Sequence, residues 1–115
     1  MRIIRILAVS GLMALLAGCG DDPLSASITV KYEVTGSADT VNIDYLDSNG
    51  DLAIINGQSL PWEITFSANK GDQVYLSAKR TGDSGTVTVK IYQNGTLLDE
   101  DTTADGSQAA AEGVL

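Results

Sequence analysis

Residues 28–35 read ITVKYEVT, and apolar and polar side chains alternate along the whole stretch. Successive side chains of a β-strand point to opposite faces of the sheet, so residues of one phase share a face. The apolar residues are Ile28, Val30, Tyr32 and Val34, and they alternate with Thr29, Lys31, Glu33 and Thr35. The pattern predicts a strand with one face in the core and the other in water.

Similar stretches recur along the chain, separated by short turns. Alternation or a short apolar run returns at 41–45, 52–55, 62–66, 74–78, 87–91, 96–102 and, weakly, 108–112. Asn49-Gly50 and Asn94-Gly95 accept the positive φ angles of tight hairpins, and Asn56-Gly57 is expected to end the 52–55 strand. Pro61 cannot donate to a ladder, so we expect it at a strand start or on an edge. Seven or eight short antiparallel strands predict an all-β sandwich or barrel.

The first residues have the pattern of a bacterial lipoprotein signal. Arg2 and Arg5 form a basic start, and residues 6–16 are apolar but too few to span a bilayer. Leu16-Ala17-Gly18-Cys19 is a lipobox, whose small residues fit a narrow peptidase cleft and whose cysteine takes a diacylglyceryl group. An ordinary signal peptide with a chance cysteine, or an uncleaved transmembrane anchor, is the alternative.

This pattern divides the chain into three parts. Residues 1–18 are the expected lipoprotein signal peptide, 19–26 the lipidated N-terminus and tether, and 27–115 the β-domain. Two or more acyl chains hold a protein durably in a bilayer, which is therefore an expected partner through Cys19. We expect a lipid anchor in the cell membrane or the outer membrane, with the domain facing the periplasm or the exterior.

Composition limits the chemistry that the domain can perform. Removing residues 1–18 leaves five basic residues against fifteen acidic ones, a net charge of −10. Such a surface repels phosphates, so nucleic acid is not an expected partner. The sequence contains no histidine, which excludes Ser-His and Cys-His nucleophiles and histidine-bound metals. The acids fall mostly at turns, where ordinary pKa values are expected. We expect a non-enzymatic protein without a cofactor.

The acidic turn at 47–51 is one candidate for a functional surface. Asp47, Asn49 and Asp51 place oxygen atoms at alternate positions, as a calcium loop does. An EF-hand would require glycine at the sixth position and glutamate at the twelfth, where this chain has Leu52 and Gln58. The turn is therefore interpreted as a hairpin whose acids face solvent or a partner, with calcium as the alternative.

Three aromatic residues are the other candidates for a ligand or partner surface. Trp62 shares the apolar phase of Ile64 and Phe66, which favours a core position, with a place at the rim as the alternative. Tyr75 and Tyr92 fall outside the apolar phase of their strands, so both are expected to be exposed. Exposed aromatic rings stack on sugars or bind partner proteins.

Five segments together resemble the MmpS family, small membrane-anchored envelope proteins known from mycobacteria. They are KYEVTGSA at 31–38, IDYLD at 43–47, LPW at 60–62, LSA at 76–78 and GDSG at 82–85. The resemblance covers residues 28–113. It implies an immunoglobulin-like β-sandwich and an accessory role beside an RND-type transporter that exports lipids or siderophores.

The chain departs from the family pattern at two places. Family members usually have an N-terminal transmembrane helix where this chain has a lipobox. Many carry a cysteine at the position of Val89, with a partner near the C-terminus, and this chain has neither. Three hypotheses follow: an accessory subunit of an exporter, a stand-alone small-molecule or glycan-binding lipoprotein, and a structural surface protein. A deep apolar cavity between the sheets would favour the second hypothesis.

Overall fold

The computed structural model describes residues 27–115, which contain eight β-strands. They are β1 (Ser27–Thr35), β2 (Thr40–Leu46), β3 (Leu52–Ser59), β4 (Trp62–Asn69), β5 (Gln73–Arg80), β6 (Val87–Gln93), β7 (Thr96–Thr103) and β8 (Ala109–Val114). No helix long and apolar enough to cross a membrane is found among these residues. The expected signal peptide, Cys19 and the tether lie outside the described range.

The strands form two four-stranded sheets, ordered β4-β1-β6-β7 and β3-β2-β5-β8. Every pairing is antiparallel. β1 pairs with β4 and β2 pairs with β5, as strands B and E and strands C and F pair in immunoglobulin domains. The prediction of an immunoglobulin-like sandwich of seven or eight antiparallel strands is confirmed.

The inner faces of the two sheets supply the core. The apolar phase of β1 that the sequence indicates is the buried phase, and the same holds for β2, β5 and β6. The largest fully buried apolar side chains are Val30, Tyr32, Val34, Val41, Ile43, Leu76, Val87, Val89 and Ile91. Burying each aliphatic side chain of this kind contributes about 1.5–3 kcal/mol. Apolar packing of this core is therefore a main source of the domain's stability.

β3 differs from its prediction, because it does not end at Asn56-Gly57. It continues to Ser59, and its register against β2 shifts between Val41 and Ile43. Gly57 adopts a φ of 70°, and its amide donates to Asn42 Oδ1 at 3.0 Å. The Asn-Gly pair is therefore absorbed as a β-bulge inside the strand, where Asn42 replaces the missing ladder bond.

The two hairpin turns use Asn-Gly differently. Between β6 and β7, Asn94 and Gly95 both have positive φ, at 50° and 81°. Between β2 and β3, only Gly50 has a positive φ, at 81°. Pro61 follows a cis Leu60-Pro61 bond and directly precedes the edge strand β4, as expected.

The sandwich has two ends that matter for orientation. The N-terminal end carries Ser27, the turns at 47–51, 70–72 and 94–95, and Leu115. The far end carries the loops at 36–39, 60–61, 81–86 and 104–108. The far end thus lies opposite the point where the tether enters.

At the far end two loops are clasped together. Ser37 Oγ accepts from the Thr86 amide at 2.9 Å, and the Ala38 amide donates to the Thr86 carbonyl at 3.2 Å. Gly85 has a φ of 106°, and a Cβ there would lie 2.5 Å from Ala38 Cα. Gly36 has a φ of 143°, and a Cβ there would lie even closer to the Thr86 carbonyl oxygen. Two of the segments that carry the family resemblance are therefore needed for this close approach.

One long side of the sandwich is closed by carboxylates. Asp101 Oδ2 accepts from the amide of Ala110 at 3.1 Å, and Asp99 Oδ2 accepts from the amide of Glu112 at 3.0 Å. These bonds join β7 of one sheet to β8 of the other. They also provide acceptors for amides of β8 that point away from β5.

Candidate interaction surface

The acidic turn is held together by its own first carboxylate. Asp47 Oδ1 accepts from the amides of Asn49 and Asp51 at 2.9 and 3.0 Å, and the Asp47 amide donates to the Asp51 carbonyl at 2.9 Å. The Asp47 side chain thus supports the hairpin. Within residues 27–115, no group of three or more histidine, cysteine, aspartate or glutamate side chains is arranged to hold a metal ion.

Asp105, in the loop between β7 and β8, departs from the ordinary acidity expected of the turn carboxylates. Its Oδ1 accepts from the Ser107 hydroxyl, the Ser107 amide and the Thr103 hydroxyl. These hydrogen bonds, the Ser107 hydroxyl first, hold the pKa of Asp105 far below its usual range. The side chain fixes an exposed loop by staying ionised.

Tyr92 belongs to a charged face and is half-buried rather than exposed. It lies on the outer surface of the β4-β1-β6-β7 sheet, with Lys31 Nζ 5.0 Å from its ring centroid. Lys31 Nζ is also 3.7 Å from a carboxylate oxygen of Glu63 and 4.0 Å from one of Glu33. Lys31 lies over the ring, so Tyr92 offers less surface to a partner than its phase predicts.

Trp62 lies at the boundary of the core, between the two positions left open by the sequence. It is half-buried at the start of β4, and its ring centroid is 5.5 Å from that of Tyr45. Tyr45 and Phe66 meet Tyr32 edge to face at 5.8 and 5.1 Å. An aromatic row therefore runs from the buried Tyr32 to the half-exposed Trp62.

The side of the sandwich between β3 and β4 is less well covered than the side between β7 and β8, and we call it the open side. Among the described residues, no side-chain hydrogen bond joins β3 to β4. The half-buried apolar side chains along it are Ile55, Leu60, Trp62, Ile64 and Phe66. Their alternation places them inward, but they have no layer over them.

Tyr75 is half-buried rather than exposed, and it lies in an apolar surface on the outside of the β3-β2-β5-β8 sheet. We call this surface the apolar face and define it by Leu46, Leu52, Ile54, Tyr75 and Val114. Leu52, Ile54 and Val114 are 57%, 62% and 61% exposed. A shallow groove lies beside Leu46, Tyr75 and Val114. Apolar surfaces of this kind mark sites of interaction with proteins or membranes when they are contiguous.

The structure thus separates the candidate residues. The Asp47–Asp51 turn and Tyr75 lie near each other, on either side of Leu46 at the N-terminal end. Tyr92 is on the opposite sheet, and Trp62 is at the far end. The six residues therefore do not form one site.

Sequence reasoning missed the exposed aliphatic residues of the apolar face. Leu52 to Ile55 is apolar in both phases of a strand, which signals two apolar faces. That signal could have identified Leu52 and Ile54. Val114 gave no such signal, because it ends a strand whose alternation is weak.

Comparison with known proteins identifies the relatives of this chain. A family model described as "Mycobacterium membrane protein" matches residues 18–113. The siderophore export accessory protein MmpS5 of Mycobacterium tuberculosis is 36% identical over 73 residues, which are 64% of this chain and 51% of that protein. The probable transport accessory protein MmpS2 of Mycobacterium bovis is 35% identical over 81 residues, 70% of this chain and 54% of that protein. The chain spans about half the length of the curated relatives that it matches.

Proposed function

Because the chain belongs to the MmpS family of mycobacterial membrane proteins, we propose that it is a non-enzymatic accessory subunit of an RND-type exporter. An acylated Cys19 tethers it in the envelope, and the exporter moves a lipid or a siderophore. The observation that carries the proposal is the apolar face, exposed on a strongly acidic domain whose relatives bear names of transport accessory proteins. The face offers a surface for binding a protein.

The tether supports contact with a protein in the same membrane. Ser27 follows Cys19 by eight positions, a stretch that reaches at most about 29 Å when extended. The N-terminal end of the sandwich, with Leu46, Tyr75 and Val114, therefore stays close to the bilayer. Confinement at this distance raises the effective concentration of a membrane partner, so a weak interface stays occupied.

Charge favours a protein over the bilayer itself as the surface that the domain contacts. The mature chain carries a net charge of −10, which anionic lipid head groups repel. The bilayer thus holds the acyl chains, while the apolar face is left for a transporter.

The alternative, a stand-alone small-molecule or glycan-binding lipoprotein, has less support. A carrier would need an apolar cavity between the sheets, and that space is filled by side chains of zero exposure such as Val30, Ile43 and Ile91. A cavity of about 430 Å³ does open at the N-terminal end over Phe66 and Val74. Its mouth is formed by the polar turns at 47–50 and 69–73, so it is open and largely polar.

The test is purification of the full-length chain from detergent-solubilised membranes of its native cells, which also produce their own RND-type exporters. We expect the exporter to copurify. Val114→Lys puts a charge on the apolar face and should reduce recovery about tenfold, because burying that charge against a partner costs more than about 1.4 kcal/mol. Thr65→Lys, an exposed change on the charged face, is the matched control and should leave recovery unchanged.

The opposite result would support the carrier. If no exporter copurifies while an apolar molecule is recovered with the chain and is extracted from vesicles by it, the accessory role is wrong.

A further inference from the structure

The edge of β3 presents backbone groups without partners in its own sheet. Antiparallel pairs alternate between hydrogen-bonded and non-hydrogen-bonded positions. The Asp47 amide bonds the Asp51 carbonyl, and the register from there to Ile43 is unbroken, with Ala53 opposite Tyr45 and Ile55 opposite Ile43. Ala53 and Ile55 therefore bond β2, while the amides and carbonyls of Leu52 and Ile54 point away from the sheet.

The three other edge strands carry features that discourage pairing with another chain, as natural sheets do. β7 contains Asp99, Glu100 and Asp101. Asp99 and Asp101 accept from amides of β8, the third of these edge strands, and so occupy its outer edge. β4 carries the exposed Glu63. β3 reads LAIINGQS, with no charged residue and no proline. Its bulge at Gly57 restricts the regular edge to Leu52–Ile55, which is long enough to pair with a short extended peptide.

Both sides of this edge are apolar. On the outside lie the exposed side chains of Leu52 and Ile54, and on the inside the open side holds Ile55, Trp62 and Ile64 half-buried. An added strand would place alternate side chains on the apolar face and the remaining ones over the open side. It would cover the seam between β3 and β4 and supply the backbone partners that Leu52 and Ile54 lack.

We propose that the edge of β3 is a strand-docking site, where an extended segment of a partner protein pairs with Leu52–Ile55 and makes a fifth strand of the sheet. The segment has apolar side chains in both phases and is uncharged or basic at its ends, where it meets Asp51. A second mature copy of this chain would bring its own charge of −10 against the same excess of acid, which disfavours it. The inference rests on the proposed function only for the identity of the partner, the exporter.

Site-specific photocrosslinking tests the position of the docking edge. A photoreactive residue replaces Ile54 in the full-length chain, in membranes that contain the exporter, and crosslinked peptides are identified by mass spectrometry. The matched control is the same residue at Leu97, an aliphatic position 43% exposed on the edge strand β7. We expect crosslinks from position 54 to one short exporter segment and none from position 97.

A backbone substitution tests the mode of binding. Ile54→Pro removes an amide that β2 does not use, whereas Ile54→Thr keeps the amide and the strand preference. We expect the proline variant to lose crosslinking from a photoreactive residue at Leu52 and the threonine variant to retain it, with both resisting protease as the parent does.

Independently of any variant, the amides of Leu52 and Ile54 should exchange hydrogen about tenfold more slowly in the copurified complex than in the free chain.

The outcomes separate this inference from the proposed function. If the exporter copurifies but crosslinks only from position 97, or if exchange at Leu52 and Ile54 is unchanged, the docking edge is wrong and the accessory role stands. A crosslinked product of twice the mass of this chain would mean that a second copy occupies the edge, and would overturn the choice of partner. If no exporter copurifies, the accessory role fails, and absence of any crosslink from position 54 then overturns the docking site as well.

Discussion

Tyr32 joins the core to both central strands of the second sheet. Its hydroxyl donates to the Leu46 carbonyl at 2.7 Å and accepts from the Tyr75 amide at 3.3 Å. Its ring meets Tyr45 and Phe66 edge to face. The sequence indicated that Tyr32 is buried, since it lies in the apolar phase of β1. It could not indicate the hydroxyl partners, because these come from a strand 14 residues away and another 43 residues away.

Tyr32→Phe should therefore destabilise the domain without changing its shape. The substitution leaves a carbonyl and an amide without their partner, at a cost of about 1–3 kcal/mol. In a domain of this size that lowers the melting temperature by roughly 4–8 °C per kcal/mol. Thermal unfolding followed by circular dichroism measures the shift, with Tyr92→Phe on the outer face as the control. An unchanged melting temperature in Tyr32→Phe would show that the two hydrogen bonds contribute nothing.

The same residue predicts a dependence of stability on alkaline pH. Burial raises the pKa of Tyr32 to about 12 from an ordinary value of 10.0. A raised pKa means that the folded state resists ionisation, so this contribution to stability is complete below pH 10 and is lost between pH 10 and about 12. Absorbance near 295 nm should show one tyrosine titrating last, and that step should be absent in Tyr32→Phe. Titration of all four tyrosines in a single ordinary step would contradict the burial.

At the scale of elements, alternation predicted the strands well, and their ends and edges less well. β1, β2 and β6 bury their apolar phase and leave the other phase partly open to water. β5 follows the same pattern except at Ser77, which is buried on the outer phase. For β3 the prediction missed two features, the bulge at Asn56-Gly57 and the exposed apolar side chains. Its Asn56-Gly57 pair has the sequence of a turn, but Asn42 on the neighbouring strand stabilises it as a bulge. The side chains of Leu52 and Ile54 are apolar although they face outward, where the alternation predicts polar residues. We attribute this to docking of a partner.

The clasp at the far end explains why two loop segments carry the family resemblance. A side chain at Gly85 would collide with the Ala38 backbone and would also require a left-handed conformation. Gly85→Ala should cost about 2–4 kcal/mol, from overpacking and from the positive φ. Gly82→Ala in the same loop meets no atom within 4 Å and should stay within about 0.5 kcal/mol of the parent.

Denaturant unfolding of these two glycine variants provides the comparison. Equal stabilities of the Gly85 and Gly82 variants would mean that the two loops are free to separate.

At the scale of the whole molecule, the two outer faces differ in character. The β4-β1-β6-β7 sheet presents Lys31, Glu33 and Glu63 to solvent, and the β3-β2-β5-β8 sheet presents the apolar face. The sequence predicted an acidic domain with partner surfaces. It could not assign those surfaces to one face, because Tyr75 and Tyr92 both lie outside the apolar phase of their strands, and the strands belong to different sheets. Sheet order, which depends on pairings distant in sequence, decides that Tyr75 lies on the apolar face and Tyr92 does not.

The anchor and the domain are expected to act together. Cys19→Ser should block acylation, so the variant should not incorporate a fatty-acid probe and should keep its signal or be released from the membrane. Its β-domain is unchanged, which makes it a control for tethering that leaves folding intact.

The central claim is that the chain works as a tethered accessory subunit of an exporter. The most direct measurement is export of the lipid or siderophore by cells that lack the gene and carry either the parent chain or Cys19→Ser, at matched levels of protein. The account predicts that the parent restores export and that Cys19→Ser does not, because the N-terminal end of the sandwich is no longer held near the membrane. Normal export in cells without the gene, or full restoration by Cys19→Ser, would contradict it.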